Sequence, residues 1–171
     1  MNPLRTTTLA IVATLLLAGT AHATEVNMAG GNITFDTPAN WLPIMQTEGD
    51  TEAQVFQVPD PSPTGKSSLA RVTVTVTRVP DISSFHQFMA QATAKALALP
   101  GYQQEKVPPV PNSNLYTAQE NGTAFSYTEH YWFKRGYAIQ LRCVRPTRSQ
   151  AGSNWQAEFD KGCAALAAQL K

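Results

Sequence analysis

Two neighbouring residues, Glu129 and His130, are the pair in this sequence that most resembles an acid–base couple. They lie within the alternating segment Thr123 to Phe133, which predicts a β-strand. Neighbouring side chains on a strand point to opposite faces of the sheet, so the two cannot share one pocket without a bulge. We therefore predict a structural or surface role for each of them and no catalytic residue in the chain.

Other reactive arrangements are missing from the sequence. It contains no Gly-x-Ser-x-Gly segment for a hydrolase nucleophile, and neither His-x-His nor His-Glu-x-x-His spacing for zinc. After removal of the export signal described below, the chain keeps only His86 and His130. We therefore expect no enzyme, no metal site and no cofactor.

The face of the sheet on which Glu129 lies depends on the turn at Lys134-Arg135-Gly136. This turn joins the first strand to a second one, Tyr137 to Arg145, and its length sets how the two strands pair. A three-residue turn would place the aromatic side of the first strand on the face of Cys143, namely Phe125, Tyr127, Glu129, Tyr131 and Phe133. A two-residue turn would place the other side there, namely Thr128, His130 and Trp132. The first arrangement buries more aromatic area, and we favour it; Glu129 then needs a partner near the sheet's edge.

Two cysteines, Cys143 and Cys163, are predicted to form a disulfide. An even cysteine count in an exported chain favours such a bond. Cys143 lies on the inward face of its predicted strand. Cys163 belongs to the apolar stripe of a predicted C-terminal helix, Asn154 to Leu170, together with Trp155, Phe159, Leu166 and Leu170. The two sulfurs can meet if this helix packs on the strand.

A group of basic residues gives the clearest indication of a binding surface. It comprises Lys134, Arg135, Arg142, Arg145 and Arg148, and no acidic residue lies between Glu129 and Glu158. The group predicts a positive hairpin tip and sheet edge that could dock an acidic protein or an anionic envelope component. Tyr131 and Trp132 beside it would serve as anchors. Protection of an edge strand against aggregation is the alternative explanation.

The N-terminus, residues 1–23, has the organisation of a cleaved secretory signal peptide. Arg5 supplies its positive charge, Leu9 to Ala18 its apolar run, and Ala21-His22-Ala23 a small-x-small cleavage site before Thr24. The apolar run is too short to span a membrane, and no later segment is long enough. We therefore expect a soluble periplasmic or secreted protein whose residues 24–171 form a single domain.

Composition excludes one class of partner. Charged residues make up 15% of the chain, and the loss of Arg5 leaves equal numbers of basic and acidic side chains. A nucleic-acid-binding protein that relies on overall charge would be strongly basic. We predict no nucleic-acid partner.

The order of predicted elements defines the fold class. Three strands precede a helix, four more strands follow, and the C-terminal helix closes the chain. Their segments are Asn32 to Phe35, Ala53 to Val58, Leu69 to Val79, the helix Ser84 to Leu99, Tyr102 to Val107, Leu115 to Glu120 and the two hairpin strands. Ser84 with Gln87 and Ser153 with Gln156 predict capping boxes. Short connections imply an α+β fold with an antiparallel sheet of about six to seven strands flanked by two helices.

Three stretches of sequence resemble the PsbP-like family, which includes DcrB-type bacterial periplasmic proteins. They are the opening NITFDTPANW, the middle VPDISSFHQFM and the end FSYTEHYWFKRGYAIQLRC. The resemblance implies a PsbP-like sandwich over nearly all of residues 24–171. It also implies a role as a non-enzymatic binding protein, assembly factor, chaperone or adaptor, although fold alone transfers none of these.

Together these features predict an exported, non-catalytic protein-binding module of the bacterial envelope. Its partner would be another envelope protein or a toxin, and an immunity protein against a periplasm-delivered toxin is one concrete form. The alternative is a small-ligand or lipid carrier or assembly factor with a pocket lined by Trp41, Phe56 and Trp132. An enzyme is the third and least favoured alternative.

Overall fold

A computed structural model describes residues 23–106 and 110–171, and within them the chain forms nine strands and three α-helices. The strands are β1 Thr24–Met28, β2 Ile33–Thr37, β3 Leu42–Thr47, β4 Thr51–Gln57, β5 Arg71–Arg78, β6 Gln103–Gln104, β7 Ser113–Glu120, β8 Thr123–Lys134 and β9 Tyr137–Pro146. The helices are α1 Thr64–Ser67, α2 Ile82–Leu97 and α3 Gly152–Leu170. The predicted signal peptide (residues 1–22 of it) and the end of the predicted strand at Val107 lie outside the described residues.

Seven strands form one antiparallel sheet in the order β3-β4-β5-β9-β8-β7-β6, and β1 pairs with β2 in a separate hairpin. Every pairing in the larger sheet is antiparallel. This confirms the predicted α+β class with helices on both faces of an antiparallel sheet. The β8–β9 hairpin occupies the middle of the sheet, so the expectation that it lies at an edge is wrong.

One face of the sheet is covered by α3 and the β1–β2 hairpin. The strand β5 alternates as predicted: its valines point into this core, while its threonines are only partly buried. Cys143 on β9 and Cys163 on α3 form the predicted disulfide across this layer, with Cα atoms 6.4 Å apart. The apolar stripe of α3 fills the rest through Phe159, Leu166 and Leu170.

The other face is covered by α2. Phe85 of this helix packs on Tyr131 and Ala138, and Ala96 packs on an aromatic cluster from β7 and β8. The sheet is therefore buried on both sides, and both faces of its central strands carry apolar residues.

The β8–β9 turn differs from the favoured prediction. Lys134 pairs with Tyr137, so the turn contains two residues, Arg135 and Gly136, with φ angles of 52° and 78°. Positive φ at both positions is the geometry of a type I′ hairpin turn. Thr128, His130 and Trp132 therefore share the face of Cys143, and the aromatic side of β8 packs under α2. Phe125, Tyr127 and Tyr131 are buried as expected, but against α2 rather than α3, because the sheet has two covered faces. Phe133, beside the turn, is 38% exposed, so its expected burial is wrong.

Both predicted capping boxes are wrong. The helix α2 begins after Asp81, whose carboxylate accepts a hydrogen bond of 2.8 Å from the Ser84 backbone N–H. The helix α3 begins after Ala151 without a side-chain cap. In each case the predicted serine already lies inside the helix.

Candidate functional site

A buried carboxylate, Glu129, lies at the centre of the α2 face of the sheet and is 1% exposed. Its Oε1 accepts a hydrogen bond of 3.0 Å from the Tyr116 hydroxyl, and its Oε2 accepts one of 2.6 Å from the Tyr131 hydroxyl. Arg142, its neighbour across the β8–β9 pair, places Nε 3.0 Å from Oε1. The partner of Glu129 is therefore in the middle of the sheet, and the predicted partner near an edge is wrong.

The phenols around Glu129 are fixed as hydrogen-bond donors. Burial, followed by the charge of Glu129, raises the pKa of Tyr116 and of Tyr131 well above the ordinary value. Both hydroxyls therefore keep their protons across the physiological range. The carboxylate is held by two hydroxyl donors and by the ion pair with Arg142, an arrangement that suits a structural charge.

Arg142 is locked by contacts on three sides. Besides Glu129, its Nη2 donates a 3.1 Å hydrogen bond to the Tyr116 hydroxyl, and its guanidinium lies 5.2 Å from the centroid of the Tyr127 ring. Burial alone would lower the pKa of Arg142, but the neighbouring Tyr116 and Glu129 outweigh this and raise it. The residue stays charged, and about a third of its side chain remains exposed.

A second ion pair, between Glu120 and Arg71, extends the hydrogen-bond network around Glu129. Glu120 accepts hydrogen bonds from the Tyr127 hydroxyl and from Arg71. Burial would raise the pKa of Glu120, but the two hydrogen bonds lower it below its ordinary value. Tyr127 therefore links the two pairs, because its ring also faces Arg142.

The predicted basic docking residues do not form one surface. Arg142 faces α2, whereas Arg145 faces α3 and makes two hydrogen bonds of 2.8 and 2.9 Å to Asp160. Arg135 at the hairpin tip and Arg148 beyond β9 are exposed, but the ten residues of β9 separate them by about 30 Å. Lys134 donates a hydrogen bond to the Lys171 carbonyl, 3.2 Å away.

The two predicted aromatic anchors are also separated. Tyr131 is buried beneath α2, and Trp132 points to the other face of the sheet, where it packs at the margin of the α3 core. Docking through this group of residues stays a prediction. Arg135 at the hairpin tip and Arg148 are its exposed members, and the Arg142 side chain is about one third exposed.

The residues predicted to line a ligand pocket are divided between a core and two clefts. Trp41 and Phe56 contact each other in the α3 core, with ring centroids 6.4 Å apart. Trp41 also lines an apolar cleft of about 320 Å³ with Trp155 and Phe159. Trp132 lines a different cleft beside the end of α3. Trp155, which the prediction did not include in the pocket, is the second tryptophan of the Trp41 cleft.

An exposed apolar edge strand was missed by the sequence analysis. All six residues of β3 are exposed, and Leu42, Ile44 and Met45 are each about half exposed. The strand forms one edge of the seven-stranded sheet, so one side of its backbone is unpaired within the described chain. The segment Leu42 to Thr47 contains Pro43 and lacks the alternation of a half-buried strand, which is why its pattern gave no signal.

Among the residues that the structure describes, no group of three or more His, Cys, Asp or Glu side chains could hold a metal ion. Over the same ranges, none of the helices has the length and apolar character needed to cross a bilayer.

These features define an α+β domain with a two-sided antiparallel sheet and one disulfide. A solved structure shares this fold: that of LpqN, which is involved in cell envelope biogenesis of Mycobacterium tuberculosis. The two match with a TM-score of 0.54 and 12% sequence identity over 86% of this chain and 88% of LpqN. No protein-family model and no curated protein matches the chain, so membership of the PsbP-like family stays a prediction.

Proposed function

We propose that this chain is an exported, non-catalytic protein-binding module of the cell envelope, and that β3 is the strand through which it binds. The observation that carries the proposal is the exposure of six consecutive residues at a sheet edge, three of them large and apolar. Edge strands of this kind bind an extended segment of another protein, which adds a strand to the sheet. The shared fold with an envelope biogenesis protein supports the cellular setting.

The two edges of the sheet differ in a way that favours β3. The opposite edge, β6, consists of two exposed glutamines, and such a short polar strand offers a partner little backbone and no apolar contact. In contrast, β3 offers six residues without a charged side chain. An apolar strand with no charge favours an extended apolar segment of the partner.

Two features of β3 limit indiscriminate pairing. Pro43 has no backbone N–H, and the β3–β4 register shifts between Pro43 and Met45. Prolines and bulges are common protections of edge strands against aggregation. Because Pro43 and the register shift leave Leu42, Ile44 and Met45 exposed, we expect β3 to bind a defined sequence of the partner rather than apolar segments in general.

The occupant that we propose is an extended segment of a different envelope protein. A toxin delivered to the envelope, blocked by this chain as an immunity protein, is one form of such a partner. Pairing of β3 with β3 of a second copy is the main competing outcome, and the experiment below separates the two.

The proposal is tested by affinity purification from the native envelope with three variants of the purified protein. Ile44→Lys places a charge on the exposed strand, Leu97→Lys does the same at an exposed apolar position on α2, and Arg135→Glu reverses a charge at the hairpin tip. We expect one protein to be retained by the wild type, Leu97→Lys and Arg135→Glu, and to be lost with Ile44→Lys. Slower hydrogen exchange of β3 amides in the complex would establish strand pairing.

Three outcomes would contradict this proposal. They are loss of the partner with Arg135→Glu but not Ile44→Lys, equal loss with Leu97→Lys, and a wild-type protein that retains no partner. Sedimentation measurements on the purified protein identify the self-pairing case, in which the wild type is a dimer and Ile44→Lys a monomer.

A second candidate function, transport of an apolar ligand, is favoured by the cleft that Trp41 and Trp155 line. Gly162 makes room for this arrangement, since a Cβ there would lie 2.9 Å from the Trp41 ring. A carrier would retain a lipid or metabolite through purification, and native mass spectrometry would detect its added mass. Bare protein from freshly extracted envelope would argue against this role.

A further inference from the structure

A polar cavity of about 350 Å³ lies between α2 and the strands β4, β5, β8 and β9. Its floor is the locked Arg142, which lies against the buried Glu129, and its wall on the helix side contains Lys95. It is distinct from the Trp41 cleft, which lies on the α3 side of the sheet. None of its lining residues comes from β3.

The contacts of Arg142 leave one end of its guanidinium available. Nε lies 3.0 Å from Oε1 of Glu129 in an ion pair that lacks hydrogen-bond geometry, and Nη2 donates to Tyr116. Nη1 makes no hydrogen bond among the described residues. Because the Tyr127 ring and Glu129 hold the group in place, a ligand need not order it. Nη1 is therefore a preorganised donor, and about a third of the arginine side chain is open to solvent.

The charge of the cavity favours an anion. Glu129 is the only carboxylate among the described residues that line it, and both of its oxygens already accept hydrogen bonds or face Arg142. Arg142 and Lys95 therefore leave one net positive charge facing the cavity. A concave site with a net charge and a low-dielectric wall attracts a ligand of opposite sign.

The uncharged lining residues indicate the remainder of the ligand. Thr75 and Gln140, paired across β5 and β9, present a hydroxyl and an amide, and Gln91 presents a second amide from α2. These groups donate and accept hydrogen bonds and suit ligand hydroxyl groups. Phe88, which packs edge-on against Tyr131, supplies an apolar wall for a short carbon skeleton.

We infer that this cavity is a binding site for a small hydroxylated organic anion, whose carboxylate or phosphate group lies between Arg142 and Lys95. The volume admits a molecule of a few carbon atoms and matches the lower end of small-molecule sites. The ligand binds under α2, and the inference is independent of strand pairing at β3.

Nuclear magnetic resonance titration of the purified protein tests the inference with four probes. Gluconate carries the carboxylate, and sorbitol is a neutral polyol of the same carbon number. Glycerol 3-phosphate carries the phosphate, and glycerol is its neutral counterpart. We expect at least one of the two anions to shift the backbone amide signals of Thr75, Gln91 and Gln140 with a Kd of about 1 mM, and neither neutral probe to do so. The anion that binds identifies the group.

Two charge-reversal variants complete the test. Lys95→Glu changes an exposed residue at the cavity, and Lys161→Glu changes an exposed lysine on α3 as the matched control. We expect Lys95→Glu to weaken anion binding about tenfold and Lys161→Glu to leave it unchanged. Absence of binding by both anions, equal binding of the neutral probes, or equal weakening by the two variants would overturn the inference. Because Lys95 is exposed, its replacement leaves the Glu129 network intact.

Discussion

At the scale of single residues, the buried charge of Glu129 is the feature that most requires compensating contacts. It is compensated by two tyrosine hydroxyls and by Arg142, all from strands that flank or carry it. A buried charge without such partners would cost several kcal/mol, so these contacts commit β7, β8 and β9 to one register.

Glu129→Gln removes this charge while keeping the size of the side chain. We expect the free energy of unfolding to fall by about 2–4 kcal/mol, because Arg142 loses its counter-charge and two phenols lose a charged acceptor. Urea denaturation measures the change. Glu158→Gln, at an exposed position on α3, is the matched control and is expected to change stability by less than about 0.5 kcal/mol. Equal stability of the two variants would show that the buried network is not stabilising.

His130 gives stability a dependence on pH. Burial lowers its pKa below the ordinary value of about 6.5. The charged residues in the two clefts that His130 lines are Glu105, Arg145, Asp160 and Lys171. The unfolded chain therefore binds a proton more readily than the folded one. Above pH about 6.5, His130 makes its full contribution to the free energy of unfolding. We expect this contribution to decrease as the pH falls toward the lowered pKa of His130.

The measurement is urea denaturation across pH 5–8 for the wild type and His130→Gln. The variant is expected to show a smaller loss of stability on acidification, and His86→Gln, at an exposed site on α2, to behave as the wild type. An unchanged pH profile in His130→Gln would assign the acid sensitivity to other groups.

At the scale of elements, the Cys143–Cys163 bond joins β9 to α3 and closes a loop of 20 residues. Closing a loop of this length restricts the unfolded chain and stabilises the fold by about 3 kcal/mol. We expect the Cys143→Ala/Cys163→Ala double variant to be less stable by this amount in denaturation experiments. Reductant should lower the free energy of unfolding of the wild type to that of the variant, and it should leave the variant unaffected. A wild type whose stability does not change on complete reduction would contradict this.

The β8–β9 turn contains an unfavourable backbone conformation that a substitution can relieve. Arg135 has a φ of 52°, a conformation that asparagine adopts more readily in type I′ turns. Arg135→Asn is expected to stabilise the protein by about 0.5 kcal/mol, whereas the same change at the exposed Arg148, outside the turn, should have little effect. Thermal unfolding with both variants checks the sign, and destabilisation by Arg135→Asn would contradict the turn geometry.

The positions of the helices and strands were predicted from the sequence more accurately than the registers in which the strands pair. The valine–threonine alternation of β5 and the apolar stripe of α3 are regular periodic patterns, and both elements were predicted to within a few residues. The Glu129–Arg142 pair was not predicted, because it depends on a two-residue turn that Arg135-Gly136 forms without the usual asparagine. The edge strand β3 was missed because exposed strands need no alternation of apolar and polar residues.

At the scale of the whole molecule, the sheet is covered on both faces but open along β3. The α2 face contains the charged network and the polar cavity, the α3 face contains the disulfide and the apolar core, and the exposed edge offers a backbone for pairing. The protein partner that we propose for β3 would bind there without disturbing either core.

The most direct test of this account is photo-cross-linking in intact cells, with a photoreactive amino acid introduced at Ile44 or, as control, at Leu97. Both positions are exposed and apolar, but only Ile44 lies on the edge strand. We expect a covalent adduct with one other envelope protein from position 44 and none from position 97. Adducts from position 97 alone, or no adduct from either position, would contradict the proposal that this protein binds its partner through β3.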